Sequence, residues 1–225
     1  MGINYSVLLP EIILTLAGIL TLFIPFLAGG GRRVRYEIGA LVAFLVCLIL
    51  IFTGDRLGSG EAFYGMVSGD SFTNFARCLF LVTGLVIVAL SIPYLEQEKT
   101  YNEEFFALLI FATMVMSLIA ASRNLLLTFI GIEILSIASY IMVAFRFNSP
   151  RSVEAGLKYF ILGAFSSAFL LYGVAFLYGV SGSTRYGAVA EAVAEQGSSP
   201  LLLAGLALVG AGLAFKATFV PFHVW

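Results

Sequence analysis

The chain has 225 residues, of which 60% are hydrophobic and 11% charged, and its mean hydropathy is +1.03. A soluble domain carries about 25% charged residues, so this composition excludes a water-soluble globular enzyme and predicts a polytopic membrane protein. The formal net charge of −1 excludes the basic footprint of a nucleic-acid binder.

Apolar runs of about 20 residues, the length that crosses a hydrocarbon core of about 30 Å, fall near 6–28, 36–53, 72–95, 104–121, 124–145, 153–180 and 201–222. They predict an all-α bundle of seven transmembrane helices in one membrane domain, 1–225. At the first run, Pro10 suits a first helical turn and Glu11 suits the positive end of the helix dipole, a structural role. No basic segment or small-residue cleavage site precedes this run, which therefore reads as a retained span and not a removable signal. Cys47 and Cys78 fall in separate spans with no CxxC spacing, so neither a disulfide nor a metal follows from them. The loops are marked by Gly29-Gly30-Gly31-Arg32-Arg33, the Gly- and Ser-rich stretch from Asp55 to Asp70, Glu96-Gln97-Glu98-Lys99, Asn148-Ser149-Pro150-Arg151, and Ser181 to Pro200. Within the last of these, Glu191 and Glu195 at helical spacing predict a short surface helix over 187–195. The sequence stops at Pro221-Phe222-His223-Val224-Trp225, in or just after a hydrophobic run, and reads as a fragment.

Lys and Arg divide unevenly between alternate loops. Arg32, Arg33, Arg35, Lys99, Arg146 and Arg151 fall on the side of the first, third and fifth loops; Arg56, Arg123 and Arg185 fall on the other, and Arg77 stands ambiguously at the start of the third span. The positive-inside rule then places the N-terminus outside and the odd loops in the cytoplasm.

Three ionisable residues, Glu133, Lys158 and Lys216, lie inside the apolar runs. A charge near the bilayer centre costs about 2.5–3.5 kcal/mol on insertion scales, so such groups are paired, hydrated or functional. Glu133 shares a helix face with Ser136 and Tyr140, at i+3 and i+7. It reads either as a working carboxylate or as a buried carboxyl satisfied by a neighbouring helix. Lys158 lies seven residues past Arg151, about 10 Å into the membrane. Its i−4 neighbour Glu154 allows a plain helix-surface ion pair, whereas Gly156, Gly163, Ser166 and Ser167 suit a buried hydrophilic path. Lys216 precedes Pro221, whose ring removes the hydrogen bond to the Ala217 carbonyl and predicts a break or kink there. Broken helices at membrane depth occur where they are buried in protein or line a wet cavity, so Lys216, Pro221 and His223 point to an aqueous site. The alternative is a lysine snorkelling to an interface. His223, with an unperturbed pKa of about 6.5, is either a proton carrier or an interfacial side chain beside Trp225. Depth counting puts Glu133 about 15 Å and Lys216 about 18–24 Å from the outer edge, which leaves contact between them open.

Three segments carry a resemblance: Gly131-Ile-Glu-Ile-Leu-Ser-Ile-Ala-Ser-Tyr-Ile-Met-Val-Ala-Phe145, Ser152-Val-Glu-Ala-Gly-Leu-Lys-Tyr-Phe-Ile-Leu-Gly-Ala-Phe165, and Phe215-Lys-Ala-Thr-Phe-Val-Pro-Phe-His-Val-Trp225. With Leu9-Pro10-Glu11 and Asp70-Ser71-Phe72, they make the chain similar to the antiporter-like membrane subunits of NADH:quinone oxidoreductase, respiratory complex I, and the context of Glu133 favours subunit N. The resemblance implies a subunit of about fourteen spans, of which seven are present, with a broken seventh helix. It matches Glu133 to the ion-pair carboxylate, Lys216 to the lysine of the broken helix and Lys158 to a lysine of the central proton path.

The resemblance further implies a translocase subunit in the cell inner membrane, among lipid and the other membrane and peripheral subunits. No cofactor is expected in this chain; FMN, iron–sulfur clusters and quinone are expected in other subunits. The sequence itself has no GxGxxG after a strand, no Cys quartet and no P-loop. Glu133, Lys158, Lys216 and His223 are the expected proton-carrying residues. Two other readings stay open: a subunit of a multisubunit cation/proton antiporter, and a non-transporting membrane scaffold whose charges merely satisfy each other.

Overall fold

In lipid every backbone polar group needs an internal partner, and a helix supplies one for nearly all of them. The apolar runs accordingly fold as helices. The computed structural model describes residues 4–27, 35–53, 60–98, 100, 103–197 and 199–222. The chain divides into two compact units, 1–121 and 122–225.

The first unit contains a 3-10 turn, Tyr5–Leu8, then α1 (Leu9–Leu27), α2 (Tyr36–Thr53), a hairpin of β1 (Gly60–Ala62) and β2 (Val67–Gly69), α3 (Ser71–Gln97) and α4 (Glu103–Ala121). Asp70 caps α3 by accepting from the Thr73 N–H at 2.8 Å. α4 is the most enclosed span, half of its apolar window being buried, with Phe106, Ile110 and Val115 fully so. It packs on α1, α3 and α2. The hairpin lies in a stretch that the sequence marks only as a loop. Its strands have three residues each, too few for a period-2 pattern to register.

An ion pair buried in this unit clamps α1 to α3. Arg77 reaches Glu11 in a two-pronged contact, Nε to Oε1 at 2.8 Å and Nη2 to Oε2 at 3.0 Å, and Nη2 also donates to the Val7 carbonyl at 2.8 Å. Both side chains are almost fully enclosed. Glu11 therefore does more than complement a helix dipole, and Arg77 is no loop charge.

The second unit contains α5 (Leu125–Val143), α6 (Pro150–Ser181), α7 (Tyr186–Gln196) and α8 (Pro200–Lys216). Asn124 caps α5, accepting from the Leu126 and Leu127 N–H groups, while its Nδ2 donates to Thr184 Oγ1 at 2.7 Å. The start of α5 is thereby fastened to the approach to α7. Val189 of α7 is buried against Leu177 of α6 and Leu202 of α8, so the predicted surface helix has an apolar underside. α6 and α8 approach closely through small residues. A Cβ on Gly173 would lie 2.6 Å from the Val209 nitrogen, and one on Gly212 would lie 2.7 Å from the Leu170 Cβ.

The sequence count of seven spans changes here. Six described helices are long and apolar enough to cross a membrane, and α8 is a shorter apolar helix of 17 residues. At about 1.5 Å per residue α8 rises about 26 Å, less than a core of about 30 Å. The helix stops at Lys216, next to the Ala217 carbonyl where the sequence predicts a break or kink. The Ala217 N–H closes the last turn on the Leu213 carbonyl at 2.9 Å, and Thr218 turns left-handed with φ 56°. The chain has left the helical path before the pyrrolidine ring acts.

Candidate functional site

Glu133, Ser136 and Tyr140 form one stripe along α5, which the 3.6-residue period imposes. Lys216, the last residue of α8, reaches this stripe. Its Nζ lies 3.7 Å from Glu133 Oε1, donates to Ser136 Oγ at 2.8 Å, and sits 3.5 Å from the Tyr140 hydroxyl. The Ser136 hydroxyl donates in turn to the Ile132 carbonyl at 2.7 Å. Its proton is thus committed to its own helix and a lone pair is left for the ammonium. From α6, the Ser167 hydroxyl donates to Glu133 Oε1 at 2.5 Å. One carboxylate oxygen therefore faces both a cation and a hydroxyl.

Packing fixes Tyr140. Its ring meets Tyr159 edge-on at 4.6 Å and Phe160 at 5.7 Å, and the Lys216 ammonium lies 6.0 Å from its centroid. Gly163 makes this arrangement possible, because a Cβ there would overlap the Tyr140 hydroxyl.

The Lys216 and Glu133 side chains are 16% and 29% exposed, so the pair opens to the surface of its unit and is not sealed. Two unit charges about 4 Å apart attract by about 4 kcal/mol at an effective dielectric of about 20, whereas a neutral hydrogen bond contributes about 1 kcal/mol net. Glu133, more than Ser136, therefore supplies the attraction that holds the Lys216 ammonium.

Of the residues expected from the sequence, Glu133 and Lys216 come together. Lys158 does not join them here. Its ammonium bonds Glu154 at 2.6 Å across one helical turn, with both side chains about two-thirds exposed. His223 lies outside the described residues. Sequence reasoning noted Ser167 only as part of a polar, tightly packed helix; its contact with Glu133 spans 34 positions, and no local spacing reveals it.

Residues 122–225 match the family described as NADH:quinone oxidoreductase/Mrp antiporter, TM. The chain is 35% identical over 224 residues to the NADH-quinone oxidoreductase subunit N of Paramagnetospirillum magneticum, an alignment covering 96% of this chain and 45% of that protein. It is 38% identical over 226 residues to the subunit N of a Jannaschia species, covering 99% and 46%. Among solved structures it is similar to a chain of respiratory complex I from Thermus thermophilus, with a TM-score of 0.75 at 29% identity over 96% of this chain and 46% of that one. The Mrp complex from a Dietzia species has a chain with a TM-score of 0.65 at 21% identity, covering 98% and 42%, which is a likeness of fold alone. The chain thus spans about half the length of the curated relatives it matches.

Proposed function

We propose that the chain, which is similar to NADH-quinone oxidoreductase N subunits, is one of them and forms the N-terminal part of a subunit that moves protons across the cell inner membrane. Electron transfer from NADH to quinone, with FMN and iron–sulfur clusters, takes place in other subunits, with which this one assembles among membrane lipid. In this reading residues 1–225 are one membrane domain, α8 is the first half of a broken seventh span, and the whole subunit has about fourteen spans. The N-terminus lies outside.

The observation that carries the proposal is the Lys216 ammonium held between the Glu133 carboxylate and Ser136 at the end of a short helix. While Glu133 is charged and near, Lys216 keeps its proton. When the pair opens, the ammonium loses its countercharge and releases the proton into the path. Lys158 and His223 serve as partners on that path. The exposed pairing of Lys158 with Glu154 is of a kind that contributes little, so Lys158 is readily freed to serve.

The test is Lys216→Ala in the full-length subunit within the intact complex. The complex assembles, NADH oxidation persists in part, and most proton pumping is lost. An unchanged yield of protons per electron removes the proposal. A second reading, a cation/proton antiporter subunit, is supported by the shared Mrp fold. Genes for dehydrogenase subunits beside this one favour the first reading, and a small antiporter cluster favours the second.

A further inference from the structure

Ser167 has one hydroxyl proton and two acceptors. Glu133 Oε1 lies 2.5 Å from its Oγ, and the Gly163 carbonyl, one turn back on the same helix, lies 3.0 Å away. The side chain is buried. We propose that Ser167 is a positioning residue that ties α6 to the charge state of the Glu133–Lys216 pair, its hydroxyl turning between Glu133 and Gly163. The inference rests on the proton-carrying role proposed for that pair.

The argument is one of competing acceptors. A hydrogen bond to an ionised oxygen is roughly twice as strong as one between neutral groups, so a charged Glu133 takes the Ser167 proton. When Glu133 accepts a proton of its own it becomes a hydroxyl donor. Ser167 Oγ then receives that bond, and its own proton turns to the Gly163 carbonyl. No covalent bond of Ser167 breaks, and the only proton that changes owner is the one Glu133 takes up.

The consequence is a bias. With Ser167 donating, the carboxylate form of Glu133 is favoured, and with it the ammonium form of Lys216, which faces the same oxygen from α8. Ser166, the next residue, donates to the Gly212 carbonyl of α8 at 3.2 Å. The turn of α6 that reads Glu133 is therefore also bonded to the helix that carries Lys216.

The test is made in membranes containing the intact complex, by infrared difference spectroscopy and proton yield per NADH. The protonated-carboxyl band of Glu133 is the one that Glu133→Gln removes. Ser167→Ala strengthens that band and moves it toward the frequency of a free carboxyl. Proton yield falls with it. Ser167→Thr, which keeps the hydroxyl, restores band and yield together. A band in Ser167→Ala identical to the parent overturns the inference, as does an assembled Ser167→Thr that behaves like Ser167→Ala. Should Ser167→Ala fail to assemble, Ser167→Cys is read in the same way, its weak S–H donor giving an intermediate band, and a parental band there overturns the inference too. Unaltered pumping in Glu133→Gln would instead remove the proposed function, and the band in Ser167→Ala would still decide the hydrogen bond.

Discussion

The Arg77–Glu11 and Glu133–Lys216 pairs both lie inside described helices, and their surroundings differ. Arg77 and Glu11 are enclosed, doubly bonded and supplemented by the Val7 carbonyl and, at 3.3 Å, by Asn74 Oδ1. Four of the five guanidinium N–H groups have protein acceptors, so the pair holds α1 to α3. Removing one partner of a buried pair typically costs about 3–5 kcal/mol, because the survivor is left uncompensated. Arg77→Met should therefore lower the unfolding midpoint of the detergent-solubilised protein sharply, and Glu11→Leu added to it should recover much of the loss. Equal midpoints for the single and double variants would count against the clamp. The Glu133–Lys216 pair is longer and partly open, and it is held through hydroxyls that can turn. Sequence alone reveals Glu133 and Lys216, since a charge well inside an apolar run is costly enough to stand out. It hides Arg77, which lies near enough to the start of its span to pass for a loop charge. It also hides the role of Ser167, because serine is ordinary in closely packed membrane helices.

At the scale of the element, α6 packs on both helices that carry the charged pair, α5 and α8. It carries glycine wherever a neighbour must come close, and the two ends of that rule can be separated by experiment. A Cβ on Gly163 would overlap the Tyr140 hydroxyl, whereas a Cβ on Gly179 of the same helix meets nothing within 4 Å. Overpacking costs typically about 1–3 kcal/mol, and replacing an unconstrained helical Gly by Ala gains about 0.5–1 kcal/mol. Gly163→Ala should thus lower the unfolding midpoint and the proton yield together, by pushing Tyr140 off Lys216. Gly179→Ala should keep the yield and leave the midpoint equal or higher. A proton yield unaffected by Gly163→Ala would show that Tyr140 does not help to hold Lys216. The spans themselves are legible from sequence because lipid enforces length and polarity, and α1 to α6 begin and end within a few residues of the apolar runs. The end of α8 is less legible. Proline marks a break, but the stop at Lys216 depends on a left-handed turn at Thr218, a β-branched residue that carries no such signal.

At the scale of the molecule, direction matters, because a proton path needs an entrance and an exit on opposite faces. Within the second unit α6 has 32 residues, about 48 Å at about 1.5 Å per residue, which exceeds a hydrocarbon core of about 30 Å. Its two ends therefore stand on opposite sides. Arg146 and Arg151 flank the α5–α6 connection, and the positive-inside rule assigns that connection to the cytoplasm. In the proposed orientation α7, with Glu191 and Glu195 exposed, is expected on the outer surface, with Val189 set into the bundle. In a background with Cys47 and Cys78 replaced, Ser149→Cys should react with an impermeant maleimide in inside-out vesicles and not in whole cells. Glu191→Cys should show the reverse. If both cysteines reacted from one side, α6 would not cross the membrane; if the sides were exchanged, the orientation would be inverted. α8 enters from the same side as α7, so the correct result would place Lys216 at the inner end of a short helix that starts outside. A proton released there would still have to reach the other face by a route that lies beyond α8.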